Sequence, residues 1–418
     1  MSMHQHNSHS AADLPSGWSI FAFGEIAESQ YGISIAVGDG VEEAETVPML
    51  GMRNLQDGVI SFANVSRVTL SENEVDPYKL REGDILFNRT NSADLVGKTA
   101  LVTVNPSEPT VFASYLVRLS IKPELATPAF INHVMNDSEA QRLFRDLATP
   151  GVGQYNINPT VLKKHFRVCL PLVPEQRAIT EVVSAWDRGI CQTTDLIAAN
   201  RRQKQGLLQQ LLEGNRRYPE FSDDLRKLRL RDVTQECSDR NNLGLGNESV
   251  MAVTKAEGIV PMRERLIGAE VQRYKQVHKN WFAYNPMRIN IGSIARSHRN
   301  ETILVSPDYV VFRCREETEA QPGVDPDYLD HLLESNRWSS FVSTSGNGSV
   351  RVRIYYDDLG SMPLLLPRIE EQRKIAKLLN AIDSEISLLT EQLAALKTQK
   401  KGLMRKLLTG EVRVKVPS

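Results

Sequence analysis

Glu175-Gln176-Arg177-Ala178-Ile179 opens a stretch that runs through Gln203-Lys204-Gln205-Gly206-Leu207-Leu208 to Leu211-Leu212-Glu213-Gly214, and the chain then writes it again. The second copy opens Glu371-Gln372-Arg373-Lys374-Ile375. It passes through Gln399-Lys400-Lys401-Gly402-Leu403-Met404 and ends Leu407-Leu408-Thr409-Gly410. The offset is 196 residues with no gap, and 18 of the 43 positions in 175–217 match 371–413, where unrelated sequence gives roughly 3. A repeat of this length describes two halves of one design.

Both copies carry the period of a long helix. In the first, Val183, Trp186, Ile190, Thr193, Ile197, Asn200, Lys204, Leu207 and Leu211 alternate steps of three and four, the seam of a coiled coil. In the second, Leu379, Ile382, Ile386, Leu389, Leu393, Leu396, Lys400, Leu403 and Leu407 do the same, apolar except at Lys400. Gly214 and Gly410 stand where a helix C-cap belongs. About 40 residues at about 1.5 Å each predict helices roughly 60 Å long. An apolar stripe of that length needs a partner. The obvious one is its own repeat, packed antiparallel with a domain of about 150 residues at either end. The alternative is two unrelated amphipathic helices, each in its own core.

Composition bounds the rest. The 418 residues carry a net charge of −1, and their apolar fraction of 41% is that of an ordinary globular chain. No apolar run approaches the ~20 residues that span a membrane. Residues 1–12 are polar and lack the apolar core of a signal peptide, so they read as a disordered tail with His4, His6 and His9 solvated. Cys169, Cys191, Cys237 and Cys314 form no close pair, which argues against a zinc cluster or disulfide framework and fits a reducing cytoplasm. Charge is unevenly spread: 261–300 holds eight Lys and Arg against Glu264 and Glu270, and 301–330 reverses the sign. One face can therefore be basic in a neutral chain.

The boundaries fall as a tail at 1–12, a first domain at 13–172, a helix at 173–214, a second domain at 215–366 (opening with a polar linker, 215–224), a second helix at 367–412 and a tail at 413–418. Strand-like stretches lie at 47–52, 59–62, 84–88, 99–104 and 115–121, followed by a helical run at 129–147 and a glycine-rich loop at 149–154. The repeat continues weakly into the second domain. Trp281-Phe282-Ala283 aligns with Ile85-Leu86-Phe87, Tyr309-Val310-Val311 with Tyr115-Leu116-Val117, His331 with His133, and Gly346-Asn347-Gly348 with Gly151-Val152-Gly153. A shared scaffold with different loops is the pattern of two domains that read different targets.

Tests for chemistry are negative. Gly97-Lys98-Thr99 lacks the earlier glycine of a phosphate loop, with Ser92 in its place. No lysine has an acid two positions before it, as a metal-dependent nuclease core requires. Ser306-Pro307-Asp308-Tyr309 and Asp325-Pro326-Asp327-Tyr328 lack the second proline of an amino-methyltransferase motif and read as turns. His133 and His331 read as packed or capping histidines, because no carboxylate or nucleophile repeats near both in the sequence. No catalytic, cofactor-binding or metal-binding residue is assigned.

These residues resemble a family, the specificity subunits of Type I restriction–modification enzymes. The likeness rests on Leu170-Pro171 then Glu175-Gln176-Arg177-Ala178-Ile179, on Leu366-Pro367 then Glu371-Gln372-Arg373-Lys374-Ile375, and on helices ending in 206–212 and 402–408. Gly83-Asp84-Ile85-Leu86-Phe87-Asn88-Arg89-Thr90 resembles the family's target-recognition strand, and the second domain departs from it with Lys279-Asn280-Trp281-Phe282. The resemblance implies an α+β fold: two mixed α/β target-recognition domains joined by a pair of long antiparallel coiled-coil helices with an internal pseudo-twofold. It implies that each domain reads half of a split double-stranded DNA site while the helix pair sets the unread gap. It further implies two docked methyltransferase subunits, optional motor–nuclease subunits, a role in host defence, and S-adenosylmethionine, ATP and Mg held only on the partners.

Base discrimination needs Arg, Lys, Asn, Gln and small hydroxyls in loops at groove edges. Candidates in the first domain are Arg53, Asn54, Arg89, Thr90, Asn91, Ser92, Lys98, Gln154, Tyr155 and Asn156. Those in the second are Lys255, Arg263, Arg265, Arg288, Asn290, Arg296, Ser297, His298, Arg299, Asn347, Ser349 and Arg351. Each competes with a solvated or phosphate-contacting reading. Thr193, Asn200 and Lys204 are polar at the seam and can fix its register. Two other classes compete: a non-catalytic protein-interaction scaffold with two binding domains on a coiled-coil stalk, and a self-sufficient restriction or methylation enzyme.

Overall fold

The computed structural model describes residues 14–34, 46–56, 58–345 and 353–416. The expected tail at 1–12 lies outside them. The chain forms two compact units, Met1–Cys191 with Ala394–Ser418, and Gln192–Leu393. Each long helix, Val173–Leu212 and Ile369–Leu408, is therefore divided between them.

The first unit is built on a six-stranded sheet in the order Ala27–Tyr31, Leu116–Ile121, Ile85–Asn88, Thr99–Leu101, Val59–Ile60, Leu55–Gln56. Ile85–Asn88 is buried on both faces, and so Ile85-Leu86-Phe87 is continuously apolar rather than alternating. One face packs Ile85, Phe87, Val117 and Leu119 against Phe130, Ile131, Phe144 and Phe166 of the helical side. On the other, Leu86 and Leu116 pack with Leu50 and Phe112. The run at 129–147 is two helices, Pro128–Asn136 and Ser138–Leu147, because Asp137 is extended and its side chain caps the second by accepting from Glu139 N–H.

The second unit repeats this frame. Its sheet, Thr234–Cys237, Val310–Cys314, Phe282–Tyr284, Ile294–Arg296, has the order of the first four strands of the other. The faces correct the sequence alignment. Phe282, Tyr284, Val310 and Phe312 face the helical core, while Ala283 and Val311 face away. The true counterparts of Ile85 and Phe87 are thus Phe282 and Tyr284, one residue from the match read in the sequence. A one-residue slip turns every side chain to the other face of a sheet, so the face decides the register. Ile85-Leu86-Phe87-Asn88 answers Phe282-Ala283-Tyr284-Asn285.

The repeated Glu-Gln pair anchors each helix start. Gln176 is fully buried. Its Oε1 accepts from Thr127 N–H at 2.8 Å, and its Nε2 donates to the Leu125 and Pro171 carbonyls at 3.0 and 2.9 Å. Gln372 does the same with Asp325, Gly323 and Pro367. Glu175 accepts both Nε and Nη2 of Arg413, and Glu371 accepts those of Arg217, each a forked charge pair just past the end of the other helix. Between them, Gly410 and Gly214 turn the chain at φ 71 and 74. A Cβ on either would lie 2.5 Å from Pro15 Cγ or Leu225 Cδ1, so the turn and the close approach both require glycine.

Within the first unit, 173–191 runs antiparallel to 394–408. Ile179 and Val183 share a core with Leu407, and Lys400 Nζ bonds Asp187 Oδ1 at 2.5 Å. Within the second, Leu208 and Leu211 share a core with Ile375 and Leu379, and Lys204 Nζ reaches Asp383 Oδ1 at 2.8 Å. The 196-residue offset carries Asp187 to Asp383 and Lys204 to Lys400. The polar seam lysines are thus one interaction, written twice. Val183, Thr193, Ile197, Asn200, Leu211, Leu379, Ile382 and Leu407 are buried, and Trp186, Ile190, Leu207, Ile386, Leu389, Leu393, Leu396 and Leu403 half-buried.

Candidate nucleic-acid interface

In the first unit, the segment after Ile85–Asn88 forms a small sheet with the glycine-rich loop. Thr90–Asn91 pairs with Tyr155–Asn156, which pairs with Thr149–Pro150. Thr149–Pro150 and Tyr155–Asn156 make a hairpin whose turn has Gly153 at φ 71 and Val152 fully exposed. Arg89 is pinned at its backbone: its N–H donates to Tyr115 O at 3.1 Å, and its carbonyl accepts from Ile157 N–H at 2.8 Å. The Arg89 Nε and Thr90 Oγ1 both donate to Asn156 Oδ1, at 3.1 and 3.0 Å. The guanidinium carbon lies 4.9 Å from the ring centroid of Tyr31. Arg89, Thr90, Asn91, Tyr155 and Asn156 therefore stand together, with Gln154 exposed at the adjoining turn.

Arg53 is exposed on a separate turn, Met52–Asn54. Ser92 is exposed and begins the turn to Val96. Lys98 is half-buried, one ladder position from Asn88, whose N–H it accepts at 2.8 Å. Asn54 is buried: its Oδ1 accepts from Gly51 N–H and its Nδ2 donates to Ser61 O, each at 2.9 Å. It closes its own turn and is no base reader.

In the second unit, Arg288 and Asn290 are exposed on the segment after Phe282–Tyr284, the structural counterpart of 89–98. Lys255 joins them, since its stem packs on Gly292. Lys255, His298 and Arg299 line a cleft of about 750 Å³, and Arg299 Nη1 pairs with Glu301 at 3.0 Å. Arg263 and Arg265 are exposed around the short turn Glu264–Leu266. Arg296 and Ser297 are corrections. The Arg296 side chain is 7% exposed and bonds Asp327 and Asp330, while Ser297 is wholly buried. Both are buried at the floor of the same cleft rather than exposed on its surface. Asn347, Ser349 and Arg351, counterparts of the first hairpin, lie outside the described residues, as does the loop at 346–348.

Sequence reasoning missed Tyr31. It lies 58 residues before Arg89, at the end of the edge strand Ala27–Tyr31, with Leu116–Ile121 between the two strands, and carries no local signal. His133 and His331, which the sequence placed at matched positions, are both packed. His331 is buried, with Nε2 at 2.8 Å from Asn380 Oδ1. His133 is held down to about 4 by burial, then by the charge of Lys400, against an opposing pull from Asp187. His331, Glu334 and Asp383 converge as metal ligands would. However, the Lys204 ammonium bonds Glu334 at 2.6 Å and Asp383 at 2.8 Å, so these carboxylates already hold a cation. Among the described residues no disulfide links the cysteines; burial pushes the Cys237 thiol up to about 11. The exposed groups of both units are donors, acceptors and π faces, suited to recognition rather than to bond breaking.

No protein-family profile matches the chain. Two specificity subunits of Methanocaldococcus jannaschii match nearly all of it. The MjaX subunit of a Type I restriction enzyme, whose name is provisional, is 24% identical over 387 residues and covers 88% of each chain. The MjaVIII Type I specificity subunit is 21% identical over 446 residues, covering 96% of this chain and 94% of its own. The chain is a homologue of Type I specificity subunits. The family's fold is shared too: the crystal structure of a Type I restriction–modification S subunit from M. genitalium matches with a TM-score of 0.57 at 14% identity, over 93% of this chain and 96% of that one. Among the described residues, no helix is long and apolar enough to cross a membrane.

Proposed function

We propose that this specificity subunit reads a bipartite double-stranded DNA site, one half with each unit, and that its helix pair sets the gap. The observation that carries this reading is the pair of matched sheets, in each of which the corresponding inner strand is followed by a polar segment of different composition: half-buried Arg89-Thr90-Asn91 in one, and exposed Arg288 and Asn290 flanking buried Ile289 in the other. A fixed frame with two dissimilar reading loops is what a split, asymmetric site requires. The chain is non-catalytic. Methyltransferase subunits, two by the twofold repeat, dock on it and bring S-adenosylmethionine chemistry to adenine, and motor–nuclease subunits with ATP and Mg join for cleavage. No cofactor sits on this chain, and it works in the cytoplasm.

The test is a methylome. The chain is co-expressed with its methyltransferase in a host free of such marks, and N6-methyladenine is mapped by single-molecule sequencing. The expected result is a split motif with a constant central gap. A bound methyltransferase without any motif would favour the protein-interaction scaffold, and activity of the isolated chain would favour a self-sufficient enzyme.

A further inference from the structure

Resting on the DNA-reading function above, we propose that Arg89 reads a guanine and that Tyr31 is the positioning residue that aims it. A contact that only neutralises a phosphate asks for charge and carries no sequence information. Arg89 is the opposite case. Its backbone is tied on both sides to Tyr115 and Ile157, its Nε is committed to Asn156 Oδ1, and its plane is held over the Tyr31 ring. These restraints leave the two terminal nitrogens, which among the described residues have no partner. They form a planar pair of donors, a shape that matches the O6 and N7 acceptors of guanine in the major groove. Adenine offers a donor beside its N7 and meets the fork with a clash of like groups.

The neighbouring hairpin fits the same groove, which admits a two-stranded ribbon. Its exposed Val152 and Gln154 lie in the turn, and exposed Tyr155 stands on the strand that supplies Asn156. Tyr31 acts through Arg89. Its exposed ring restrains the guanidinium, so that little rotamer freedom remains to be lost on binding.

The test uses the co-expressed complex and reads the methylated motif position by position. The wild-type motif is expected to contain a guanine in one half-site. Arg89→Ala and Arg89→Lys are expected to lower discrimination at that one position by about tenfold or more, leaving the other half-site intact as an internal measure of folding. Tyr31→Ala is expected to relax the same position less, and Tyr31→Phe, which keeps the ring face, to preserve it. If methylation by the Arg89→Ala complex keeps the wild-type motif, the guanine assignment is wrong. A uniform loss of methylation across all sites, with a shallower salt dependence, would make Arg89 a phosphate contact and overturn the proposal. If Tyr31→Phe and Tyr31→Ala behave alike while Arg89→Ala relaxes the position, Tyr31 has no positioning role. A wild-type complex with no bipartite motif would instead defeat the functional reading on which this one stands.

Discussion

Residue identity alone misleads when burial decides the role. Arg296 and Arg89 are both arginines near the end of a sheet strand, and the sequence treats them alike. The tertiary structure separates them by their surroundings: Arg296 is enclosed and meets Asp327 and Asp330, whereas the terminal nitrogens of Arg89 meet no partner among the described residues. Removing one partner from a fully buried ion pair costs roughly 3–5 kcal/mol, because the other charge is stranded. Here the two aspartates are partly exposed and can hydrate, so the cost is smaller. Arg296→Ala is expected to destabilise the chain by about 2 kcal/mol in urea unfolding, with the methylated motif unchanged. A changed base preference at unchanged stability would return Arg296 to the reading surface.

Among the elements, the long helices are held by polar groups as well as by their apolar stripe. Gln176 and Gln372 were visible in the sequence as repeated letters, but their fully buried amides, bonded to loop backbone near Leu125 and Gly323, were not. The cluster of His133, Asp187 and Lys400 gives the helix pair a pH dependence. The folded pKa of His133, about 4, lies below the ordinary 6.5. The unfolded chain therefore binds the proton first. Stability is full above about pH 6.5 and falls as the pH drops toward 4, by about 3 kcal/mol from this group alone. Urea midpoints followed from pH 7 to pH 4 should show the wild type losing more than His133→Gln, which cannot titrate. Parallel curves would assign the acid sensitivity to other groups.

For the whole molecule, both long helices pass from one unit into the other, with the division at 191/192 in one and 393/394 in the other. If helix length sets the gap between half-sites, adding one turn to both, about four residues and ~6 Å, should lengthen the unread gap by about two base pairs at roughly 3.4 Å each. The two half-sites themselves should stay the same. A methylome with the original gap would refute the ruler.

The sequence by itself determined the helices, the two-half design and the family. A period of three and four sustained over 40 residues and an ungapped 196-residue offset are one-dimensional signals that survive without coordinates. It also located the glycine-rich loop at 149–154, because glycine marks turns wherever they fold. Only the tertiary structure decided the register of the second sheet, since alternation along Phe282-Ala283-Tyr284 is readable in either phase until the cores on both faces are present. It alone moved Asn54, Arg296 and Ser297 from the reading surface to the interior, and it alone brought Tyr31 to Arg89. Burial and contact between residues 58 positions apart are properties of packing, and no local pattern encodes them.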